Sequence, residues 1–121
     1  YIYKITVIPI NKVYIGFDTN ESYKKSRWKV HLRTFKKKQN NKLYTAMFMY
    51  GEQNCDFEIL EDNVESVGKL ALLEILYIKK YNSYRKGLNS TLGGDGLGKK
   101  LLQQMSEEEI LKIKIQMASG M

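Results

Sequence analysis

At 121 residues, with 43% hydrophobic and 12% aromatic residues, the chain can bury one core but not two, so a single domain with a short appendage is expected. Lys and Arg number 20 against 13 Asp and Glu, and the resulting charge of +7 favours a polyanionic partner, although solvated surface lysines alone would give the same count. The lone Cys55 excludes an internal disulfide framework and any cysteine-based zinc site.

Tyr1 to Ile8 and Val13 to Phe17 are rich in Tyr, Ile and Val on either side of the only proline, and read as a hairpin turning through Pro9-Ile10-Asn11-Lys12. Asn20, Glu21 or Ser22 can cap a helix in which Trp28, Leu32 and Phe35 recur one and two turns apart. That stripe should face the core, with Arg27 and His31 on its flank. Lys36, Lys37 and Lys38 end the helix where cations suit its dipole and where a phosphate could sit. Asn40 and Asn41 precede a second helical stretch with Leu43, Ala46, Met47 and Tyr50, stopped by Gly51 as a left-handed cap. Cys55 to Leu60 alternates apolar and acidic residues, as a third strand with one wet face would, and Cys55 reads as a small apolar strand residue rather than a nucleophile. Ser66 starts a helix running to about Tyr81. Gly93-Gly94-Asp95-Gly96-Leu97-Gly98 is a flexible break, and Ser106 with Glu109 makes a capping-box signature for a last short helix. No long repeat, signal peptide or membrane-length apolar run is visible, so a soluble intracellular protein of the host cytoplasm, with no membrane partner and monomeric, is expected. The chain opens on Tyr1 rather than Met, which suggests a missing upstream segment.

Glu74 carries an argument of its own. Val67, Leu70, Ala71, Tyr77, Ile78 and Tyr81 form one stripe of their helix, and Glu74 sits at its centre. Burying an unpaired carboxylate there costs several kcal/mol, so the group must be protonated, paired with a cation, or bound to a metal. An internal salt bridge to Arg27 or a lysine satisfies this as well as an ion does. A lone carboxylate suits magnesium, which keeps most of its waters and takes one or two protein ligands. Arg27 and His31 lie one turn apart, so both can point into one cleft, where the planar guanidinium matches a phosphate. Each also has a plain structural reading, Arg27 as a surface stem covering Trp28 and His31 as a satisfied core histidine. Tyrosines make demanding catalysts because the free phenol ionises near pH 10, so Tyr3 and Tyr14 gain interest only beside groups that can take or stabilise their proton.

The ordered segments Tyr1-Ile2-Tyr3, Tyr14-Ile15-Gly16, Arg27 to His31, Glu74 to Ile78 and Gly87-Leu88-Asn89, with the Leu92-Gly93-Gly94 ending, resemble the GIY-YIG nuclease family over residues 1–96. The pattern is closer to phage or intron-borne homing endonucleases than to the repair branch. The resemblance implies an α/β (α+β) domain with a small three-stranded antiparallel sheet flanked by helices, the GIY-YIG fold. It implies hydrolysis of double-stranded DNA with one divalent ion, Mg2+ or Mn2+, held by Glu74. Tyr3 would accept a proton from the attacking water and pass charge toward His31, Tyr14 would orient water or phosphate, Arg27 would neutralise charge on the phosphate, and Asn89 would position the backbone or the Glu74 carboxylate. The two tyrosines could exchange roles. Lys12, Lys36, Lys37, Lys38, Lys99 and Lys100 would meet the DNA backbone.

The chain departs from the family pattern in three places, one of them the hairpin turn, where Ile10-Asn11 replaces the usual Asn-Gly. Tyr1 stands where the first motif has glycine, and Gln39, Asn40 and Asn41 occupy a region where some relatives carry another histidine, leaving His31 or Lys12 to assist the tyrosines. Residues 97–121 read as a linker and the start of a helical DNA-binding module, with a simple amphipathic helix packed through Ile110, Ile113 and Met117 as the alternative. A noncatalytic DNA-binding domain of the same fold is the competing reading of the whole chain.

Overall fold

In the computed structural model, which describes residues 1–93 and 103–119, the hairpin consists of β1 (Ile2–Val7) and β2 (Lys12–Phe17). A 3-10 turn over Ile8–Ile10 joins them and closes on Asn11 in the left-handed conformation, φ 49° and ψ 44°. Asn tolerates that region because its short side chain can bond locally, so the turn works without glycine. A third strand, β3 (Cys55–Glu61), pairs antiparallel with the other edge of β1, and the sheet order is β2-β1-β3. The central place of β1 accounts for the complete burial of Ile2, Tyr3, Ile5 and Val7. Asp56 and Glu58 stay exposed on β3, the wet face its alternation foretells.

Register places Tyr3 opposite Gly16 and Ile5 opposite Tyr14, and side chains alternate faces along a strand, so the two tyrosine rings share one face. On that face Tyr1, Tyr3, Ile5 and Val7 pack with Phe35, Leu43 and Met47 from α1 (Ser26–Lys37) and α2 (Lys42–Tyr50). On the other, Ile2 and Ile15 pack with Leu70, Leu73 and Ile78 from α3 (Val67–Tyr81) and with Ile113 from α4 (Glu107–Ser119). The result is the α+β arrangement expected, a three-stranded antiparallel sheet between helices.

The first helix begins later than its sequence suggests. Lys25, not Asn20, Glu21 or Ser22, occupies the cap position, and it makes no side-chain cap bond. The three expected caps are engaged elsewhere: Ser22 Oγ donates to Asn20 Oδ1 at 2.7 Å, and the Glu21 carboxylate accepts from the Tyr1 nitrogen at 2.7 Å and from the Asn63 N–H at 3.1 Å. Tyr1 supplies the missing function, because its hydroxyl accepts from the Arg27 N–H at 3.3 Å and lies 3.0 Å from Ser26 Oγ, which donates to Asp18 at 2.7 Å. Gly51 also differs from expectation. Its φ of 83° with ψ of 152° is an extended, glycine-only conformation rather than a left-handed helical one.

The cap signals of the later helices read true. Asn41 caps α2 through Tyr44 N–H at 2.8 Å, and Ser66 caps α3 through Lys69 N–H at 3.1 Å. Ser106 and Glu109 form their capping box at the start of α4, where Ile113 is buried and Ile110 partly so, while the Met117 side chain, residues 94–98 of the glycine-rich break, Lys99 and Lys100 lie outside the described residues. Among the described residues no helix is long and apolar enough to cross a membrane.

The outer edge of β2 would be an open row of donors and acceptors without residues 87–89. Leu88 N–H donates to Val13 O at 2.8 Å, and the Asn89 side-chain amide brackets Ile15, accepting from its N–H and donating to its C=O, both at 2.8 Å. Ser83 Oγ donates to the same Asn89 oxygen at 2.7 Å. Asn89→Ala strands these buried groups, and a loss of about 2–4 kcal/mol is expected from urea unfolding midpoints, several unpaired groups at about 1–3 kcal/mol each being partly relieved by water; a loss within experimental error would show that the edge does not need the amide.

Candidate active site

Tyr3 sits at the bottom of the site. Its ring is wholly buried, its hydroxyl lies 2.7 Å from His31 Nε2, and its ring centre lies 6.2 Å from that of Tyr14. Gly16 leaves room for it: a Cβ there would overlap Tyr3 Cζ and Oη and approach Tyr14 Cε1 to 3.0 Å. The glycine is required by space and not by backbone angle. Burial first, and then the neighbouring Tyr14, hold the Tyr3 phenol well above its ordinary range, against the opposing pull of Arg27.

Tyr14 is half-buried on the edge strand, and its phenol is raised for the same first reason, burial, with the Glu74 charge next; the Arg27 charge acts in the opposite sense. Of the two tyrosines, Tyr14 is the one with a way to solvent.

His31 departs from its expected place on the flank of the helix stripe. It is at the centre of the buried face with Phe35, while Trp28 and Leu32 are only partly covered, Trp28 stacking on Phe57 at 5.4 Å. Polar partners make that burial tolerable. Besides Tyr3, the ring meets Tyr44 on α2, whose hydroxyl lies 2.8 Å from Nδ1. Burial, reinforced by the Arg27 charge, lowers the His31 pKa from 6.5 to about 4, so the ring is neutral at physiological pH.

Arg27, one turn before His31, reaches the same place. It is partly buried, and although burial works against its charge, the phenols of Tyr3 and Tyr14 and the carboxylate of Asp18 raise its pKa further. Its Nε is buried and has no hydrogen-bond partner. A buried donor without an acceptor costs about 1–3 kcal/mol, and is satisfied when an anion enters.

Glu74 reaches the site from the opposite layer of the sheet. It is half-buried beside Leu70, Ala71, Tyr77 and Ile78, less covered than its place at the centre of the stripe suggests, and its charge is felt at Tyr14. Gly93, at φ 87°, passes so close that a Cβ there would lie 2.9 Å from Glu74 Oε1. Tyr3, Tyr14, Arg27, His31 and Glu74 are thus drawn together by β1, β2, α1 and α3. Asn89 holds the β2 backbone beneath Tyr14, which is the first of its two expected roles.

Lys12, Lys36, Lys37 and Lys38 are exposed, Lys36 pairing with Glu52 at 3.2 Å. Lys12 lines a groove of about 630 Å³ with Asn40, Lys42, Tyr50 and Leu88, which neither Tyr3 nor Tyr14 lines. Sequence reasoning placed Tyr1, Gly16 and Gly93 in motifs without giving them a role, and passed over Tyr44. Tyr44 carries no signal beyond its place three residues after the Asn41 cap, since only the folded sheet brings it to His31.

Two solved structures resemble this chain. One is the catalytic domain of intron endonuclease I-TevI in mutant form, 27% identical, with a TM-score of 0.66 over 75% of this chain and 92% of that one. The other is the catalytic domain of homing endonuclease I-TevI, 27% identical, with a TM-score of 0.65 over 74% of this chain and 96% of that one. No family model and no curated protein matches the chain. The likeness agrees with the homing-endonuclease resemblance read from the motifs and supports a nuclease.

The neutral His31 has a measurable consequence for stability. With a folded pKa below the unfolded value of 6.5, its contribution is complete above pH 6.5 and declines as pH falls toward 4, because the unfolded chain binds the extra proton. Urea unfolding between pH 4 and 6.5 should show stability rising with pH, and His31→Gln should flatten part of that slope; identical slopes would show that His31 is not the group responsible.

Proposed function

We propose that the chain is a metal-dependent DNA endonuclease of the homing type, hydrolysing a phosphodiester of double-stranded DNA in the cleft between Tyr14, Arg27 and Glu74. The observation that carries the reading is Arg27, whose buried, unpartnered Nε lies beside two phenols. A guanidinium held there is ready for an oxygen anion. The likeness to an endonuclease catalytic domain and the net charge of +7 support the same conclusion.

Complete burial of Tyr3 moves the water-activating role to Tyr14. Tyr14 first gives its own proton to solvent; its phenolate oxygen then takes a proton from the attacking water, the new P–O bond forms, and the bond to the 3′ oxygen breaks, leaving a 5′ phosphate and a 3′ hydroxyl that takes its proton from solvent. Arg27 bonds the nonbridging oxygens, where charge builds. Tyr3 and His31 hold Tyr14 from behind, and Asn89 fixes the strand that carries it.

The residues fit a divalent ion with few protein ligands. Glu74 is a single half-buried carboxylate that Gly93 approaches closely, and no group of three or more His, Cys, Asp or Glu gathers among the described residues. That donor set suits magnesium, or manganese, which would keep its waters and take the remaining oxygens from phosphate. When bound, the ion would stabilise the charge of the departing oxygen. Exposed Lys37 and Lys38 supply the sequence-independent attraction to the duplex.

Incubation with supercoiled plasmid tests the reading. The parent chain should nick only with added magnesium; Glu74→Ala should abolish nicking, and Arg27→Ala should lower it by about 10²–10³-fold, with retention of DNA on a gel preserved in both. Undiminished cutting by the Glu74 variant would remove its metal role, and retention without any cutting by the parent chain would favour a noncatalytic DNA-binding domain.

A further inference from the structure

The groove beside Lys12 is not used by the chemistry at Tyr14, and its lining is of two kinds. The floor is apolar, formed by Ile10, Met49, Tyr50 and Leu88. The rim carries two ammonium groups, Lys12 and Lys42, and the amides of Asn40 and Asn41, and no Asp or Glu lines the groove. At about 630 Å³ it has room for a molecule of nucleotide size.

The rim groups are committed to different degrees. Lys42 is held in place, its ammonium donating to the Tyr84 C=O at 3.1 Å and to the Asn89 C=O at 3.4 Å. Asn41 spends its side-chain oxygen on the cap of α2 and keeps its amide hydrogens. Lys12 and Asn40 are exposed, and among the described residues their side chains have no hydrogen bond or ion pair. The free Asn40 amide sets one donor beside one acceptor, the pairing that matches the N6 and N7 edge of adenine.

A ligand suited to this lining is flat, apolar on its faces, polar at its edge and anionic at one end. An unpaired nucleobase with its phosphate meets all four conditions, because its face can stack on an aromatic and apolar floor while its phosphate meets the cations. A base still inside the duplex has no free face to offer, and a phosphate backbone alone has no use for an apolar floor. The groove also lies where a strand would pass. Lys12 and Tyr14 are two residues apart on β2, so their side chains leave the same face of the strand about 6.6 Å from each other.

We infer that the groove holds one nucleotide of the DNA strand beside the cut, drawn out of its stack, with its base on the apolar floor, its edge read by Asn40 and its phosphate held by Lys12. The inference rests on the nuclease reading for its place beside a cut, whereas recognition of an unpaired base rests on the groove alone. Drawing a base out of the stack opens the duplex next to the scissile phosphate, and selects sites at which a base leaves readily.

The experiment compares binding of two duplexes, one fully paired and one carrying a single bulged adenine, by fluorescence anisotropy with magnesium withheld. The bulged duplex should bind about fivefold to a hundredfold more tightly, the range expected for stacking of one base. Asn40→Ala should close most of that gap without weakening the paired duplex, and Lys12→Ala should weaken both. Equal affinity for the two duplexes overturns the inference, as does a gap that Asn40→Ala leaves unchanged. Deoxyadenosine monophosphate that displaces the bulged duplex at equal concentration overturns its source, assigning the groove to a free nucleotide instead of a strand. A chain that prefers the bulged duplex yet never nicks plasmid keeps the groove and loses the nuclease reading; one that nicks plasmid without the preference keeps the nuclease and loses the groove.

Discussion

Everything at this site follows from burying a tyrosine hydroxyl at the seam between a sheet and a helix. Tyr3 lies on the central strand, covered by neighbours on both edges, and a phenol there must find partners or cost about 1–3 kcal/mol. Its partner is His31, whose other ring nitrogen needs a partner in turn and finds one in Tyr44. Gly16 makes the arrangement sterically possible, since any side chain there would occupy the place of the Tyr3 hydroxyl. A residue that looks like a reactive group is thus first a structural one, and its reach into the cleft passes through Tyr14.

The same dryness organises the charges. Away from bulk water, Arg27 acts on both phenols and on the imidazole, lowering the former and helping to keep the latter neutral. Glu74 opposes it at Tyr14 from the other layer of the sheet. An entering phosphate would be drawn to a fixed guanidinium whose Nε is already stripped of water, and that is the form of electrostatic assistance that costs no reorganisation at the moment of reaction. The edge strand on which Tyr14 depends is held by the Asn89 amide, so a residue without a place at the reacting atoms still determines where they meet.

Much of this was legible in the amino-acid order. The three strands, the Asn41, Ser66 and Ser106 caps and the apolar stripe around Glu74 all follow from local rules of periodicity and capping. The errors share one physical origin, which is that long-range partners override local signals. Glu21 fails to cap α1 because Tyr1 and Asn63 take its carboxylate, and the Tyr1 hydroxyl, 26 residues away in sequence, serves the helix start instead. His31 moves from the flank to the core because Tyr3 and Tyr44 satisfy both ring nitrogens, and neither partner could be inferred from spacing along the helix. The assignment of water activation to Tyr3 took account of order along the chain but not of the two neighbouring strands that close over it.

The central claim is that Tyr3 is sealed and Tyr14 is the phenol that works at the cleft. It is tested most directly by alkaline titration of both phenols, read by NMR in protein labelled at the tyrosine Cζ and assigned with Tyr3→Phe and Tyr14→Phe. The account predicts that Tyr14 ionises at the lower pH and that Tyr3 resists ionisation until the fold itself gives way. Ionisation of Tyr3 ahead of Tyr14 would contradict it.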